Sequence, residues 1–183
     1  AKGKTTRLLS ANINRNGAPL FPPYFSATIG GKRFVFIGIT SEKGFFDIAE
    51  KKLLDVSLKD YLAALSDLTI KLGQENIDYI ILLSGRSYSD NFTIMEQFRQ
   101  ISLCISGGDA TGELYAVKAE RVDIESGRSL VTLTNPEGLY TLSLSSHEKL
   151  AIKELKYIPP KKYPSDDKSY LEFVNRLTIW KNK

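Results

Sequence analysis

The sequence predicts an α+β domain of two successive units, each of four strands and a helix, which together form two antiparallel sheets. A strand-like run, a serine and an apolar stripe at helical spacing follow one another over residues 45–73, and the same order returns over residues 139–158. In both places a serine, Ser57 or Ser145, stands where its hydroxyl can accept from the first helical turn, with an acidic residue three positions later. The repeat indicates a single domain of two similar halves over residues 1–160.

The first half contains four predicted strands and one helix. Alternating apolar side chains and the turn signal Gly30-Gly31 indicate a first strand and then a hairpin. The predicted strands cover residues 5–13, 24–29, 32–40 and 45–56. Apolar residues at spacings of three and four then predict a helix at about 58–72, ended by Gly73.

The second half repeats this order with one strand more than a strict repeat needs. Its predicted strands cover residues 77–83, 92–105, 113–123, 129–133 and 139–144. The last two are expected to pair as a closing hairpin, and a second helix is expected at about 146–157, ended by Pro159-Pro160. The run 77–83 has the apolar character of a strand that is buried on both faces.

Residues 161–183 are predicted to be a linker and a C-terminal amphipathic helix. The linker, residues 161–168, is rich in Lys, Pro and Asp, and the helix covers residues 169–180. Its apolar stripe is formed by Tyr170, Phe173, Val174, Leu177 and Trp180. This helix is expected either to pack on the main domain or to dock on another chain.

The composition limits the classes of protein to consider. With 183 residues the chain is long enough for one core without disulfides, and Cys104 is its only cysteine. We therefore expect an intracellular, reducing compartment. No apolar run approaches the roughly 18 residues that a membrane span needs, and the N-terminus lacks the apolar core of a secretion signal.

No pattern of catalytic or metal-binding residues is apparent. His147 is the only histidine, and its expected place in the first turn of a helix is a surface position. The acidic residues show no ligand spacing, and Gly30-Gly31 and Gly107-Gly108 match turns rather than a phosphate loop. We expect no catalytic site, no metal and no cofactor.

Charge is distributed unevenly along the chain. Residues 1–56 carry nine Lys/Arg and four Asp/Glu. Residues 57–142 carry seven Lys/Arg and twelve Asp/Glu, and residues 143–183 carry nine Lys/Arg and five Asp/Glu. Basic ends around an acidic middle favour an anionic partner, although charge that serves only solubility gives the same pattern.

Aromatic residues alternate with basic ones in several predicted strands. Aromatic rings that stack on bases beside cations that hold phosphates are typical of single-strand binding. Phe34, Phe36 and Tyr79 are better explained as core residues, because aromatic side chains in strands usually face a core. The candidate nucleic-acid-binding residues are Lys2, Lys4, Lys32, Arg33, Phe34, Arg86, Tyr88, Arg99, Tyr115, Lys118 and Arg121.

Residues 2–158 resemble the Whirly family of plant single-stranded-DNA-binding proteins, whose fold is related to the kinetoplastid guide-RNA-binding proteins. Lys2-Gly3-Lys4 is similar to the start of the family signature Lys-Gly-Lys-Ala-Ala-Leu, although Thr5-Thr6-Arg7 departs from it. Similar runs are Gly31 to Phe36, Lys52 to Leu58, and Gly85-Arg86-Ser87. The resemblance implies two successive units of four strands and a helix, and a homo-oligomer, suspected to be a tetramer.

From these observations we expect a non-catalytic protein that binds single-stranded DNA or RNA with little sequence preference. The alternative is a protein-interaction module or accessory inhibitor that acts through its acidic middle or its C-terminal helix. A small enzyme that uses carboxylates is a third class. Single-strand binding requires the basic N-terminal residues and the exposed aromatic side chains to share one continuous face.

Overall fold

The computed structural model describes residues 8–42, 55–107, 120–124, 127–133, 139–145 and 149–158. Two helices are present in these ranges, α1 (Tyr61–Leu72) and α2 (Tyr88–Gln97). The eleven strands of these ranges are β1 (Ile13–Arg15), β2 (Ala18–Pro19), β3 (Tyr24–Ile29), β4 (Lys32–Ile39), β5 (Val56–Leu58), β6 (Tyr79–Ser84), β7 (Ile101–Ser106), β8 (Glu120–Ile124), β9 (Arg128–Thr132), β10 (Leu139–Ser145) and β11 (Ala151–Ile158).

A six-stranded mixed sheet organises the described part of the chain. Its strand order is β3-β4-β6-β7-β9-β8. The four central strands, β4, β6, β7 and β9, are parallel to one another, and the outer strands β3 and β8 pair antiparallel with β4 and β9. Apolar runs such as Tyr79–Leu82 are buried because parallel strands are covered on both faces.

One face of the sheet is covered by the two helices. Leu65, Leu68 and Leu72 of α1 and Ile94 and Met95 of α2 are at most 9% exposed and pack on the strands. These side chains recur at helical spacing, which is why each helix presents one apolar stripe to the sheet. The strand residues of this first core cluster include Val35, Ile37, Ile80, Leu82, Cys104 and Leu130.

The opposite face of the sheet is covered by a separate hairpin. Strands β10 and β11 pair antiparallel, and Leu150 and Ile152 pack on the second core cluster, which includes Phe34, Tyr79 and Val131. The sheet is therefore the middle layer of three, with helices on one side and a hairpin on the other. A smaller three-stranded sheet, in the order β2-β1-β5, lies beside them.

The segment before β1 packs closely on the end of β4. Ala11 N donates to Gly38 O at 2.8 Å, and a Cβ built on Gly38 would lie 2.2 Å from Leu9 O. Only a residue without a Cβ permits this approach, so Gly38 allows residues 8–12 to lie against the strand.

The prediction of an α+β domain holds in its general form, whereas the two-unit arrangement is not confirmed. The predicted hairpin is present as β3 and β4, with Gly30 and Gly31 at φ +59° and +78°. The first predicted helix is α1, but Asp60 caps it, through a 2.8 Å bond from Ala63 N, and Ser57 lies in β5. Gly73 is right-handed (φ −63°) instead of left-handed.

Three element predictions are wrong. Residues 8–12, expected in the first strand, form no strand, because they pack on the end of β4 at Gly38, and β1 begins at Ile13. Residues 92–97, expected in a strand, belong to α2, because Ser87 caps this helix and Asn91, Ile94 and Met95 provide its buried stripe. The second predicted helix is strand β11, because Ile152 of this strand and Leu150 just before it belong to the second core cluster, two residues apart as in an extended chain.

The expected closing hairpin is also absent from the described ranges, since β10 pairs with β11 and β9 lies between β7 and β8. The predictions for residues 1–7, 43–54, 113–119, 146–148 and 159–183 lie outside the described residues.

Candidate functional site at the carboxyl edge of the sheet

The four parallel strands end together at one edge of the sheet. The register aligns Ile39 with Ser84, Ser84 with Ser106, and Ser106 with Thr132. In open sheets with parallel strands, ligands bind outside the carboxyl ends of the strands, where the following loops and helix N-termini converge. The fold therefore favours a ligand-binding site at this edge.

A row of three hydroxyl side chains lines this edge. Ser84, Ser106 and Thr132 lie at aligned positions on neighbouring strands and are 5%, 0% and 5% exposed. They lie two residues after Leu82, Cys104 and Leu130, whose side chains belong to the helix-covered cluster. Because side chains alternate along a strand, the three hydroxyls face the helix layer as well.

Asn91 of α2 connects the helix to this row. Its Nδ2 donates to Ser106 Oγ at 3.0 Å and to the Arg86 carbonyl oxygen at 2.9 Å, while Ser106 Oγ also donates to that carbonyl at 3.2 Å. Asn91 Oδ1 and Thr132 Oγ1 are buried without any hydrogen-bond partner. Buried polar atoms without partners are rare in folded proteins. These two oxygen atoms can each accept a further hydrogen bond.

The helix N-terminus adds further polar groups at the same edge. Ser87 Oγ accepts from Asp90 N at 3.2 Å, and Ser87 and Ser89 share a 3.1 Å hydroxyl contact. Gly107 follows the row directly, and no heavy atom lies within 4 Å of where its Cβ would be. The amides of the first turn and the helix dipole favour an anion at such a position.

Arg86 is fixed beside this edge by three neighbouring elements. Its guanidinium carbon lies 4.0 Å from the ring centre of Tyr61, at the start of α1. Nη2 lies 3.0 Å from Asp90 Oδ2 and Nη1 lies 3.6 Å from Glu42 Oε1, and the side chain is 12% exposed. The two carboxylates compensate its charge, so Arg86 holds α1, α2 and the segment after β4 together.

A second polar cluster occupies the end of β4. Asn12 Nδ2 donates to the Thr40 carbonyl and Thr40 N donates to Asn12 Oδ1, each at 2.9 Å. Ser10 Oγ donates to Asn12 Oδ1 at 3.2 Å and lies 3.0 Å from Thr40 Oγ1. Gly85 N bonds to Ile39 O, so this cluster borders the loop after β6.

The described residues do not provide a metal centre. They contain no group of three or more His, Cys, Asp or Glu side chains that could hold an ion. Cys104 is fully buried, and that burial raises the pKa of its thiol to about 12, so the group remains a neutral core thiol. His147 lies outside the described residues.

The predicted nucleic-acid-binding residues that the structure describes do not lie on one surface. Arg86 and Tyr88 lie at the carboxyl edge, whereas Lys32 and Arg33 lie at the start of β4, at the opposite end of the sheet. Lys32 Nζ lies 2.9 Å from Asp78 Oδ1, and Arg33 forms an ion pair with Glu75.

The other predicted site residues are equally dispersed. Phe34 is 5% exposed and belongs to the second core cluster, which is the alternative given for it above. Arg99 is exposed in the turn after α2, and Arg121 of the outer strand β8 binds Asp123 and the Ile152 carbonyl. Lys2, Lys4, Tyr115 and Lys118 lie outside the described residues.

The sequence analysis missed the residues that the edge brings together. The sequence pattern assigned Asn91 to a loop, Ser106 to a turn and Thr132 to a strand, without a functional role for any of them. For Ser106, and for Ser84 beside it, the signal in the sequence is a hydroxyl residue directly after an apolar strand, in Leu83-Ser84 and Ile105-Ser106. Recognising that these strands are parallel is what places the hydroxyls side by side.

Comparison with solved structures relates this fold to enzymes. The NAD nucleotidase NadN of Haemophilus influenzae superposes with a TM-score of 0.63 and 20% identity, over 84% of this chain and 34% of that one. The sulfate thiohydrolase SoxB of Thermus thermophilus superposes with a TM-score of 0.66 and 19% identity, over 96% of this chain and 32% of SoxB. The calcineurin-like phosphoesterase YfkN of Bacillus subtilis superposes with a TM-score of 0.58 and 16% identity, over 93% of this chain and 61% of YfkN.

These comparisons concern the fold and only part of each relative. The chain spans about a third of the length of NadN and SoxB. No protein-family model matches the sequence, and the search of curated proteins finds no relative. Within the described residues, no helix has the length and apolar character needed to cross a membrane.

The comparisons correct the functional expectations from the sequence. The resemblance to the Whirly family is wrong, because the solved structures that share this fold are nucleotidases, phosphoesterases and a thiohydrolase. The expectations of a non-catalytic protein and of single-stranded nucleic acid as partner are corrected by the same finding. The suspected tetramer was implied only by that resemblance and loses its basis. Short similarities such as Gly85-Arg86-Ser87 do not determine strand direction, and the parallel strands distinguish the two folds.

Proposed function

We propose that this chain forms part of a phosphoesterase-type domain and that its carboxyl edge binds the phosphate group of a nucleotide or related phosphate ester. The observation that supports the proposal is a coincidence of two features. The fold is that of enzymes named for nucleotides and phosphoesters, and its ligand-binding edge carries hydroxyls and a helix N-terminus.

The choice of phosphate rests on chemistry as well as on fold. SoxB is named for a sulfur substrate, and one fold serves many reactions. The fold alone therefore does not determine which anion is bound. Phosphate esters carry one or two negative charges and several acceptor oxygens. The first-turn amides of α2 and the hydroxyls of Ser87 and Ser89 are donors that suit such a group.

The reaction itself requires more than the described residues supply. Hydrolysis of phosphate esters often depends on one or two metal ions, which activate water and stabilise the leaving oxygen. Ligands for such an ion would have to come from residues beyond the described ones. The part proposed for this edge is therefore to bind and orient the phosphate group.

The test is a set of binding and hydrolysis assays on the purified chain. AMP, ribose 5-phosphate, p-nitrophenyl phosphate and inorganic phosphate are titrated calorimetrically, and phosphate release is measured with Mg²⁺, Mn²⁺ or Zn²⁺ and with EDTA. We expect saturable binding of the phosphate esters. Ser89→Ala, which removes an exposed hydroxyl at the α2 N-terminus, should weaken this binding several-fold.

The matched control is Ser26→Ala, which removes an exposed serine hydroxyl from the outer strand β3. It should leave every affinity unchanged. Binding that is absent for all four compounds, with and without metal ions, would refute the proposal. Equal losses in the two serine variants would place the binding site elsewhere.

A further inference from the structure

Two aromatic side chains at the carboxyl edge are open to solvent. Tyr88 and Phe92 are each 37% exposed. Their ring centres lie 6.5 Å apart with an angle of 28° between the planes. By contrast, Phe34 and Tyr79 are less than 10% exposed. The exposed pair contrasts with these two buried rings.

The pair lies next to the candidate phosphate position. Tyr88 is the first residue of α2 and directly follows the capping residue Ser87, so its ring lies at the start of the helix. Phe92 lies one turn further on the same side, because residues four apart are neighbours on a helix surface.

Helix geometry shows which way the pair faces. At 100° per residue, Asp90 lies on one flank of the buried stripe of Asn91, Ile94 and Met95, and Tyr88 and Phe92 lie on the other. Asp90 binds Arg86, which packs on Tyr61 of α1, so the Asp90 flank faces α1. The aromatic pair therefore faces away from α1.

On that side the helix borders strand β9. Arg128, the first residue of β9, donates from Nη1 to the Met95 carbonyl. Thr132, the last residue of β9, carries one of the two buried oxygen atoms without a partner, and Asn91 carries the other. The aromatic pair and this unsatisfied polar corner lie together at the carboxyl edge.

We propose that Tyr88 and Phe92 form a stacking platform for a nucleobase, which makes nucleoside phosphates the ligand class of this edge. The inference rests on the proposed function, because the phosphate group has to be bound at the α2 N-terminus for the base to reach the rings. Aromatic side chains stack on every base, so the platform selects for the presence of a base and not for its identity. A gain of about tenfold in affinity lies within the range for one stacked base.

The experiment compares AMP with ribose 5-phosphate, which has the same phosphate and sugar but no base. Calorimetric titration of the wild-type chain should give a Kd for AMP about tenfold below that for ribose 5-phosphate. Tyr88→Ala and Phe92→Ala should each reduce this ratio towards one, with the Kd of ribose 5-phosphate unchanged. Tyr88→Phe should retain the ratio, because it keeps the ring.

Ile70→Ala is the control, since Ile70 is an apolar side chain of α1 that is 67% exposed. It should change neither affinity. Equal affinities of AMP and ribose 5-phosphate in the wild type would overturn the platform and leave the proposed function intact. An AMP preference that survives both alanine variants would also overturn it. If neither compound binds while p-nitrophenyl phosphate or inorganic phosphate does, the platform alone is wrong. If none of the four compounds binds, both proposals are wrong.

Discussion

The side-chain amide of Asn12 forms two hydrogen bonds with the backbone of Thr40, in place of the bonds that a neighbouring strand would make. It donates to the Thr40 carbonyl and accepts from the Thr40 amide, both at 2.9 Å, and Asn12 is 1% exposed. The side chain thereby continues the backbone pairing at the point where β4 ends. This contact attaches residues 8–12 to the carboxyl edge without a regular strand.

The first prediction concerns this contact. Asn12→Ala removes both hydrogen bonds and leaves the amide and the carbonyl of Thr40 without these partners. We expect a loss of about 2 kcal/mol in the free energy of unfolding, since an unsatisfied buried group costs roughly 1–3 kcal/mol. Urea unfolding followed by circular dichroism measures it. Asn14→Ala, in the half-buried strand β1, is the control and should cost less than about 0.5 kcal/mol. Equal losses for both would show that Asn12 holds no special position.

The second prediction concerns the close approach of Leu9 to Gly38. A Cβ at position 38 would lie 2.2 Å from the Leu9 carbonyl oxygen, so Gly38→Ala forces the backbone of residues 8–12 away from β4. We expect a loss of about 1–3 kcal/mol, the usual cost of overpacking. Gly107→Ala is the matched control, because that position is open and has no positive φ. A Gly38→Ala protein as stable as the wild type would show that the segment moves without cost.

Local patterns in the sequence were sufficient for some elements. The turn Gly30-Gly31 and the alternation around it predicted β3 and β4, and the stripe Leu65, Leu68, Leu72 predicted α1. In these elements the local preference and the buried face agree. The boundaries were less well predicted, because Asp60 rather than Ser57 provides the cap.

Other elements depended on contacts that the sequence does not display. In residues 150–158 the apolar residues fit helical and strand spacing about equally, and packing of Leu150 and Ile152 on the second core cluster decides for a strand. In α2 the Ser87–Asp90 cap was present in the sequence, but the apolar run after it was interpreted as a strand.

Strand direction was the main reason that the candidate site was missed. The apolar run Tyr79–Leu82 was interpreted as buried on both faces, which is typical of parallel sheets, yet the sheets were expected to be antiparallel. Only the parallel order brings Ser84, Ser106 and Thr132 to the same edge. Asn91 then joins them because α2 packs on β7.

The third prediction concerns the reactivity of Cys104. Its thiol is fully buried and burial raises its pKa to about 12, so almost no thiolate is present at neutral pH. Labelling with Ellman's reagent should therefore follow the rate of unfolding, and it should be complete within minutes in 6 M guanidinium chloride. A rapid stoichiometric reaction of the native protein at pH 8 would contradict the burial of this residue.

The fourth prediction concerns stability in acid. The Arg33 amide and the Lys32 ammonium bind Asp78 and lower the pKa of its carboxyl group. A lowered pKa in the folded state means that this stabilisation is complete above the unfolded value of about 3.9 and is lost as the pH falls through the folded value. Asp55 and Asp123 have lowered pKa values as well, through Arg15 and through Ser129 and Arg121.

Melting temperatures measured between pH 7 and pH 2 test this prediction. The wild-type Tm should fall steeply below about pH 4, and Asp78→Asn should lower the Tm at pH 7 while making the acid slope shallower. An identical slope in the variant would show that Asp78 does not contribute to the acid dependence.

The fifth prediction concerns the contact between Arg86 and Tyr61. The guanidinium carbon lies 4.0 Å from the ring centre, and the Arg86 side chain is 12% exposed, so the cation–π contact is largely shielded from water. A double-mutant cycle with Arg86→Ala and Tyr61→Leu should give a coupling energy of about 1–2 kcal/mol. The cycle separates the ring contact from the ion pair with Asp90, which is lost in both Arg86 variants.

Lys71 and Tyr24 provide the control, because Lys71 is exposed and its Nζ lies 5.7 Å from the centre of the Tyr24 ring. Their coupling should stay below about 0.5 kcal/mol. Equal coupling in the two cycles would mean that burial of Arg86 does not strengthen the contact, and that Arg86 does not hold α1 against α2.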